Sequence, residues 1–257
     1  VYAVESDTII ELAKIAARKH GYENKIKFIQ GDSRRIKLPE KVDVVITYLS
    51  LLYASQVLSD ASKRFMKKRA NCIPFAAELL LVPLEFEHIY REKIEMWPKK
   101  VQGLNFEFIR DLAVQCPEPA HFEQKNFIAE PRPIATVEFT KPFPQKIAAR
   151  LIFKIKRHAT LHGFGYWYGY RLSRKVKFFP QRNLEQIFLP LRTPLKLKKN
   201  DWVRVELEFS VCKFVPGGLI WNWRVEAGGQ EYPHSSFEAL PLSFKNDHKI
   251  RGSAIKY

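Results

Sequence analysis

Between Asp43 and Asp60 the sequence has no acidic residue, and no His, Lys or Arg either. No apolar run reaches the ~18 residues of a membrane-spanning helix, which leaves a soluble chain as the expectation. Cysteine is scarce. Cys72, Cys116 and Cys212 form an odd, widely spaced set without metal-ligand spacing, read as buried, reduced thiols of an intracellular protein. No signal or transit peptide is visible, and no glycine-rich turn precedes the first strand, so the sequence reads as starting within a fold. Acid is in deficit as well. The net charge of +16 over 257 residues invites anionic partners such as nucleic acid or acidic protein tails.

The 46% hydrophobic content suffices for one large or two medium cores. Val1–Glu5 (VYAVE) reads as an apolar strand ending in a carboxylate. Ser6 or Asp7 can cap a helix with Ile9, Leu12, Ile15 and Ala16 on one stripe, and His20-Gly21 ends it with Gly as a left-handed cap. Ile26–Gln30 is a second strand, followed by Gly31-Asp32-Ser33-Arg34-Arg35. Val42–Ile46 has the β-branched, continuous pattern of a strand buried on both faces of a parallel sheet. A helix is predicted from about Ser55 to Arg69, with Lys63, Arg64, Lys67, Lys68 and Arg69 crowding its last turns. Glu78–Glu85 is the next buried strand. This strand–helix–strand alternation, with an acid at an early strand end, is dinucleotide-like or methyltransferase-like. In such a sheet the reactive groups gather outside the carboxyl ends of the strands. There Glu5 would take ribose hydroxyls and Asp32 an adenine amine.

After about Glu85 the pattern changes to alternating stretches at Ile134–Thr140, Ala148–Lys156, Gly163–Leu172, Leu184–Leu191, Trp202–Phe209 and Leu219–Val225. These predict an antiparallel barrel or sandwich. A helix-prone segment with Tyr90, Trp97, Phe106 and Phe108 interrupts it, its aromatics serving either as core or as an arm that docks elsewhere.

The residues resemble those of the protein arginine methyltransferases, most specifically in VYAVES, LPEKVDVVIT and GLNFEFIRDLAV. The resemblance implies a Rossmann-like class I methyltransferase domain over residues 1–84, its amino-terminal part missing from this chain. It also implies a β-barrel domain over 85–257 and a helical dimerisation arm over about 90–111. In that family the catalytic loop reads Ser-Glu-Trp-Met-Gly, with a second glutamate farther on, and the two carboxylates clamp a guanidinium that is always charged. Here the loop reads Thr47-Tyr48-Leu49-Ser50-Leu51, so Tyr48 stands for the first glutamate and Ser55 for the second. Gln181-Arg182-Asn183 stands where the family has Thr-His-Trp, and Arg34 replaces an adenine-contacting glutamate. Glu5 is the one cofactor position that matches.

The resemblance therefore implies a catalytically inactive, prozyme-type subunit. It would not bind S-adenosylmethionine or a metal, and it would pair through the arm (Tyr90, Trp97, Phe106, Phe108) with an active paralogue in the cytoplasm, and in the nucleus as a second compartment. Two alternatives stay open. One is methylation of another substrate such as nucleic acid, with Tyr48 as a stacking platform. The other is an RNA-binding surface built from the basic stretches Lys63–Arg69, Lys154–Arg157, Arg171–Lys177 and Lys196–Lys199, with aromatics at Phe164, Tyr166, Trp167, Tyr168, Tyr170, Phe178 and Phe179; against it, the alternating aromatics of GFGYWYGYRL read more readily as barrel core.

Overall fold

The computed structural model describes residues 1–97, 100, 102–173, 175–178, 186–212 and 218–239. They divide into two compact units. One holds Val1–Phe75 with the returning segments Glu138–Phe143 and Arg171–Val176, and the other holds the rest from Ala76 onward.

The first unit contains two parallel ribbons. Strand β1 (Tyr2–Glu5) pairs with β2 (Lys27–Gln30), and Glu5 lies opposite Gln30. Strand β3 (Val42–Ile46) pairs with β4 (Met66–Ile73), Val45 lying opposite Cys72. Helix α1 (Ile10–Lys19) joins the first ribbon, and α2 (Leu51–Arg64) crosses between β3 and β4. Gly21 takes φ +72°, the left-handed cap expected after His20. The start of α1 is later than the capping residues suggested, although Asp7 Oδ1 still accepts the Ile9 amide at 3.0 Å.

Three expectations change here. Strand β3 is not buried on both faces, since Val44 is 45% and Ile46 73% exposed. It pairs with a neighbour along one edge only, so the continuous apolar run is not enclosed. The α1 stripe Ile9, Leu12 and Ile15 is exposed, and the helix buries the narrower line of Ile10 and Ala17. Helix α2 ends at Arg64, because Met66–Ile73 gains ladder hydrogen bonds with β3. Lys67, Lys68 and Arg69 therefore project from a strand, and Lys67 pairs with Asp43 at 2.9 Å.

The second unit is built of two sheets. Strands β5 (Ala76–Leu84), β7 (Arg132–Glu138), β9 (Ala159–Arg171) and β11 (Ile187–Leu197) run in the order β11-β9-β5-β7, with β6 (Glu118–Pro119) beyond β11 and β10 (Lys177–Phe178) on β9. Strands β8 (Lys146–Lys154), β12 (Trp202–Val211), β13 (Leu219–Ala227) and β14 (Gln230–Ser235) form an antiparallel sheet ordered β14-β13-β12-β8. Alternation sets its inner face: Val203, Val205, Leu207 and Phe209 are buried while Arg204 is exposed. The inner faces meet through aromatic contacts, Tyr166 against Trp221 at 4.9 Å and Phe153 against Phe164 at 6.0 Å. The strands expected from alternation occur with shifted ends; of Leu184–Leu191, residues 184 and 185 lie outside the described residues, and the strand runs on to Leu197. The strand at Ala76–Leu84, read as the close of the first domain, instead sits between β9 and β7.

Glycine makes β9 possible. A Cβ at Gly163 would lie 2.2 Å from the Leu189 carbonyl oxygen, and one at Gly165 2.7 Å from the Phe122 ring.

Candidate functional site

The carboxyl end of β3 and the start of α2 form the place where this fold would carry reactive groups. The Thr47 amide still bonds to the Ile73 carbonyl at 2.9 Å, which extends the ladder by one residue. Beyond it Tyr48 is 65% exposed, and the first turn of α2 holds no acid. Ser55 lies on the opposite side of the question. It is fully buried among Leu51, Ala54 and Leu58, and among the described residues its hydroxyl has no hydrogen-bond partner. The two positions matched to a carboxylate pair therefore do not share a face: Tyr48 projects into solvent and Ser55 into packed helix.

At the ends of β1 and β2 the structure brings Glu5 and Asp32 to one edge, because the Gly31 amide donates to the Glu5 carbonyl at 2.9 Å. The Glu5 carboxylate is exposed and accepts the Asp7 amide at 2.9 Å. Asp32 is occupied. Arg34 donates Nε–H to Oδ1 at 3.0 Å and Nη2–H to Oδ2 at 2.8 Å, and its backbone amide bonds to Oδ1 at 2.9 Å. These Arg34 hydrogen bonds hold the Asp32 carboxyl down to about 2, and the carboxylate in turn raises the Arg34 guanidinium. The Arg34 guanidinium lies 5.7 Å from the Tyr53 ring centre, so helix α2 supports the pair. Arg182 and Asn183 lie outside the described residues.

The segment between β5 and β6 forms a short helix α3 (Glu87–Tyr90), a π turn (Arg91–Glu95) and a second helix α4 (Glu107–Ala113). Tyr90 is buried with Ile94, Val114 and Phe188, so it serves the root of the segment and offers no docking face. Its hydroxyl donates to the Leu191 and Arg192 carbonyls at 2.8 and 3.0 Å, and burial pushes its ionisation up to about 12. Arg110 Nη2 donates to the same Arg192 carbonyl at 2.7 Å, and Asp111 pairs with the Arg192 guanidinium.

The Arg192 amide donates to His234 Nε2 at 3.0 Å, while His234 lies flat on Trp223 with ring centres 5.0 Å apart. Burial lowers His234 to about 4, so it is a neutral acceptor near neutral pH. His162 behaves similarly: its Nδ1 accepts the Phe86 amide at 3.1 Å, and burial lowers its basicity. Farther out, Met96, Leu104, Phe108 and Leu112 are all 45% exposed or more. Trp97 and Phe106 are half-buried, and Trp97 Nε1 bonds to the Lys93 carbonyl at 2.9 Å.

The aromatics proposed to stack bases do not form a platform. Phe164, Tyr166, Tyr168 and Tyr170 are buried in the barrel, and Trp167 stacks on Phe127 at 5.7 Å. Both faces of β9 are covered, so even its alternate residues are core. Phe178 is 43% exposed, and Phe179 lies outside the described residues. Among the described residues no three His, Cys, Asp or Glu side chains group to hold a metal, and no helix is long and apolar enough to cross a membrane.

A family model for the arginine methyltransferase oligomerization subdomain matches residues 75–209, more than half of the chain. The chain belongs to the arginine methyltransferase family. Its similarity to the probable protein arginine N-methyltransferase 6.2 of Oryza sativa subsp. indica is 28% identity over 199 residues, 72% of this chain and 49% of that protein. The probable protein arginine N-methyltransferase 6 of Arabidopsis thaliana is 27% identical over 186 residues, 67% of this chain and 42% of that protein. The chain thus spans about half the length of the curated arginine methyltransferases it matches. Among solved structures, the Trypanosoma brucei PRMT1 enzyme–prozyme heterotetrameric complex with AdoHcy superposes with a TM-score of 0.82 at 18% identity, covering 91% of this chain and 80% of that one. Arabidopsis thaliana protein arginine methyltransferase 10, in an open conformation, gives 0.72 at 18% identity, covering 92% and 82%. These likenesses establish the arginine methyltransferase fold: a barrel matched by the oligomerization-subdomain model, preceded in the chain by parallel strand–helix elements.

Sequence reading missed Tyr53, Asp60, Arg192 and the two buried histidines, and it placed Arg64 in a basic run without its Asp60 partner. Only Asp60 and Arg64 left a local sign, their i, i+4 spacing on a helix, which the structure closes as a 2.7 Å ion pair.

Proposed function

We propose that this chain is a catalytically inactive arginine methyltransferase homologue that activates an active paralogue by assembling with it. The carrying observation is the absence of any acid from Tyr48 to Ser59 on the only strand end and helix turn that match the family's guanidinium clamp. A substrate arginine is protonated near neutral pH and needs carboxylates to orient it and localise its charge. Removing one preorganised electrostatic group commonly costs ~10²–10³ in rate, and here both carboxylates are replaced. A Tyr in solvent and a buried Ser supply no substitute.

The residues present also do not fit S-adenosylmethionine well. Glu5 remains available to ribose hydroxyls, but the Asp32 carboxylate is taken by Arg34. By contrast the oligomerization segment is fully built at its root and leaves Met96, Leu104, Phe108 and Leu112 uncovered. Those apolar groups suit docking on the exposed stripe Ile9, Leu12 and Ile15 of an equivalent helix in a partner subunit. The likeness to an enzyme–prozyme heterotetrameric complex is compatible with a hetero-oligomer. A stable pair of this kind should bury ~2,000 Å² or more.

The deciding experiment measures methylation of an arginine peptide by this chain, by an active paralogue, and by the mixture. The expected result is no turnover by this chain alone and a rate for the mixture well above the paralogue alone. Turnover by the isolated chain, or a mixture no faster than the paralogue, would overturn the reading.

A further inference from the structure

The turn after β2 is held more tightly than a short exposed loop requires. Within it the Arg35 and Ile36 amides both bond to the Asp32 carbonyl, at 2.8 and 3.2 Å. From outside, helix α2 grips it at both ends. Tyr53 in the first turn lies 5.7 Å beneath the Arg34 guanidinium. Arg64 in the last turn donates to the Ser33 carbonyl at 3.0 Å and to the Ile36 carbonyl, and Asp60 fixes Arg64 at 2.7 Å. At the centre is the forked Arg34–Asp32 pair, which together with the Arg34 amide uses both carboxylate oxygens.

We propose that Arg34 is an internal ligand for this turn: it takes the carboxylate that would otherwise meet the exocyclic amine of a nucleoside base, and it orders residues 31–36 with no nucleotide bound. This deepens, and rests on, the reading of the chain as a subunit that works without its own S-adenosylmethionine.

The competition is unequal for a physical reason. A guanidinium offers two parallel, charge-assisted hydrogen bonds to a carboxylate, whereas an adenine amine offers a single donor from a neutral group. Arg34 is also local, two residues from Asp32, so it is present at high effective concentration whatever the nucleotide level. Tyr53 supports the guanidinium plane on one side, which removes a face where a base would stack. In a cofactor-dependent subunit this turn would be ordered by binding. In this chain the order is supplied by Arg34, Tyr53 and Arg64, and the subunit is ready to pair regardless of cofactor supply.

Hydrogen–deuterium exchange of the whole chain, alone and with millimolar S-adenosylhomocysteine, tests this. In the unaltered protein the 31–36 amides should exchange slowly and equally in both conditions. Arg34→Ala should speed their exchange by ~10-fold or more while barrel amides hold, since a local opening loses its main restraint. Arg34→Lys, which keeps the charge but loses the fork, should fall between. Nucleoside-induced protection in the unaltered protein, or unchanged exchange in Arg34→Ala, would overturn the proposal. Should Arg34→Ala lose the fold as a whole, seen as loss of barrel protection, the nucleoside arm on the unaltered protein decides alone. The methylation assay on mixtures is independent. A mixture that is activated by a chain whose turn nonetheless binds nucleoside removes this proposal and leaves the regulatory reading standing.

Discussion

Acid should destabilise the second unit, and His234 sets the range. The ring is buried between Trp223 and the β11 backbone, and its Nε2 accepts the Arg192 amide at 3.0 Å. A proton on Nε2 would turn that acceptor into a donor facing an N–H. Burial, with the nearby Arg192 charge, holds proton binding in the folded protein down to about 4, against ~6.5 for the unfolded chain. Because folding lowers the affinity for protons here, stability is fully present above pH ~6.5 and is lost as pH falls toward 4. Integrated over that window the loss is ~3 kcal/mol for this group alone, at ~1.4 kcal/mol per pH unit. His162 is shifted in the same direction by burial and adds to the slope. Glu118 acts in the opposite sense, since burial raises its carboxyl and its protonation favours the folded form. Urea denaturation at closely spaced pH values between 4 and 7.5 would measure the slope. In His234→Gln, whose side-chain oxygen can still accept the Arg192 amide, the slope should flatten. An unaltered slope in that variant would refute the assignment, and the loss would then belong to other groups.

Three further outcomes follow from the packing. Gly163→Ala should cost several kcal/mol, seen as a large fall in the denaturation midpoint, because its Cβ would meet the Leu189 carbonyl at 2.2 Å and backbone cannot yield cheaply. Phe108→Ala should leave the melting temperature nearly unchanged, as the ring is 63% exposed in the single chain, yet weaken association with a paralogue by ~2 kcal/mol, about 30-fold, in a sedimentation or calorimetric titration. Restoring acids at the clamp positions should separate them: Tyr48→Glu is tolerated at a solvent-facing site, while Ser55→Glu places a charge in the buried side of α2 and should unfold the first unit, read by far-UV circular dichroism.

Strand periodicity in the second unit was legible because β8, β12 and β13 alternate between a buried and an exposed face, and the residues themselves record that. On β9 the alternating aromatics allowed two readings, barrel core or a stacking surface, and with both faces covered Phe164, Tyr166, Tyr168 and Tyr170 are core. Helix α2 was placed too late, since the basic run Lys67-Lys68-Arg69 continues a helical charge pattern while belonging to a strand whose partner is β3, with Val42 opposite Met66 and Ile46 opposite Ile73. At the candidate site the missing acids were plain from sequence. The fork from Arg34 to Asp32 and the brace from Arg64, in the turn after β2, were not, because they depend on how a turn and a helix approach one another. The Leu191–Arg192 hub was invisible for the same reason: its contributors are drawn from Tyr90, Arg110 and His234, far apart in the chain.

That hub has a consequence for how such subunits can diverge. Helix α3 hangs through Tyr90 from the Leu191 and Arg192 carbonyls and α4 through Arg110 from the Arg192 carbonyl, backbone groups present whatever the side chains are. The exposed positions Leu104, Phe108 and Leu112 lie beyond that suspension point. On the proposed reading of these positions as a docking face, substitutions there would retune which paralogue is accepted while the barrel's own folding stays untouched, so a lineage could change partners in small steps without passing through an unstable intermediate.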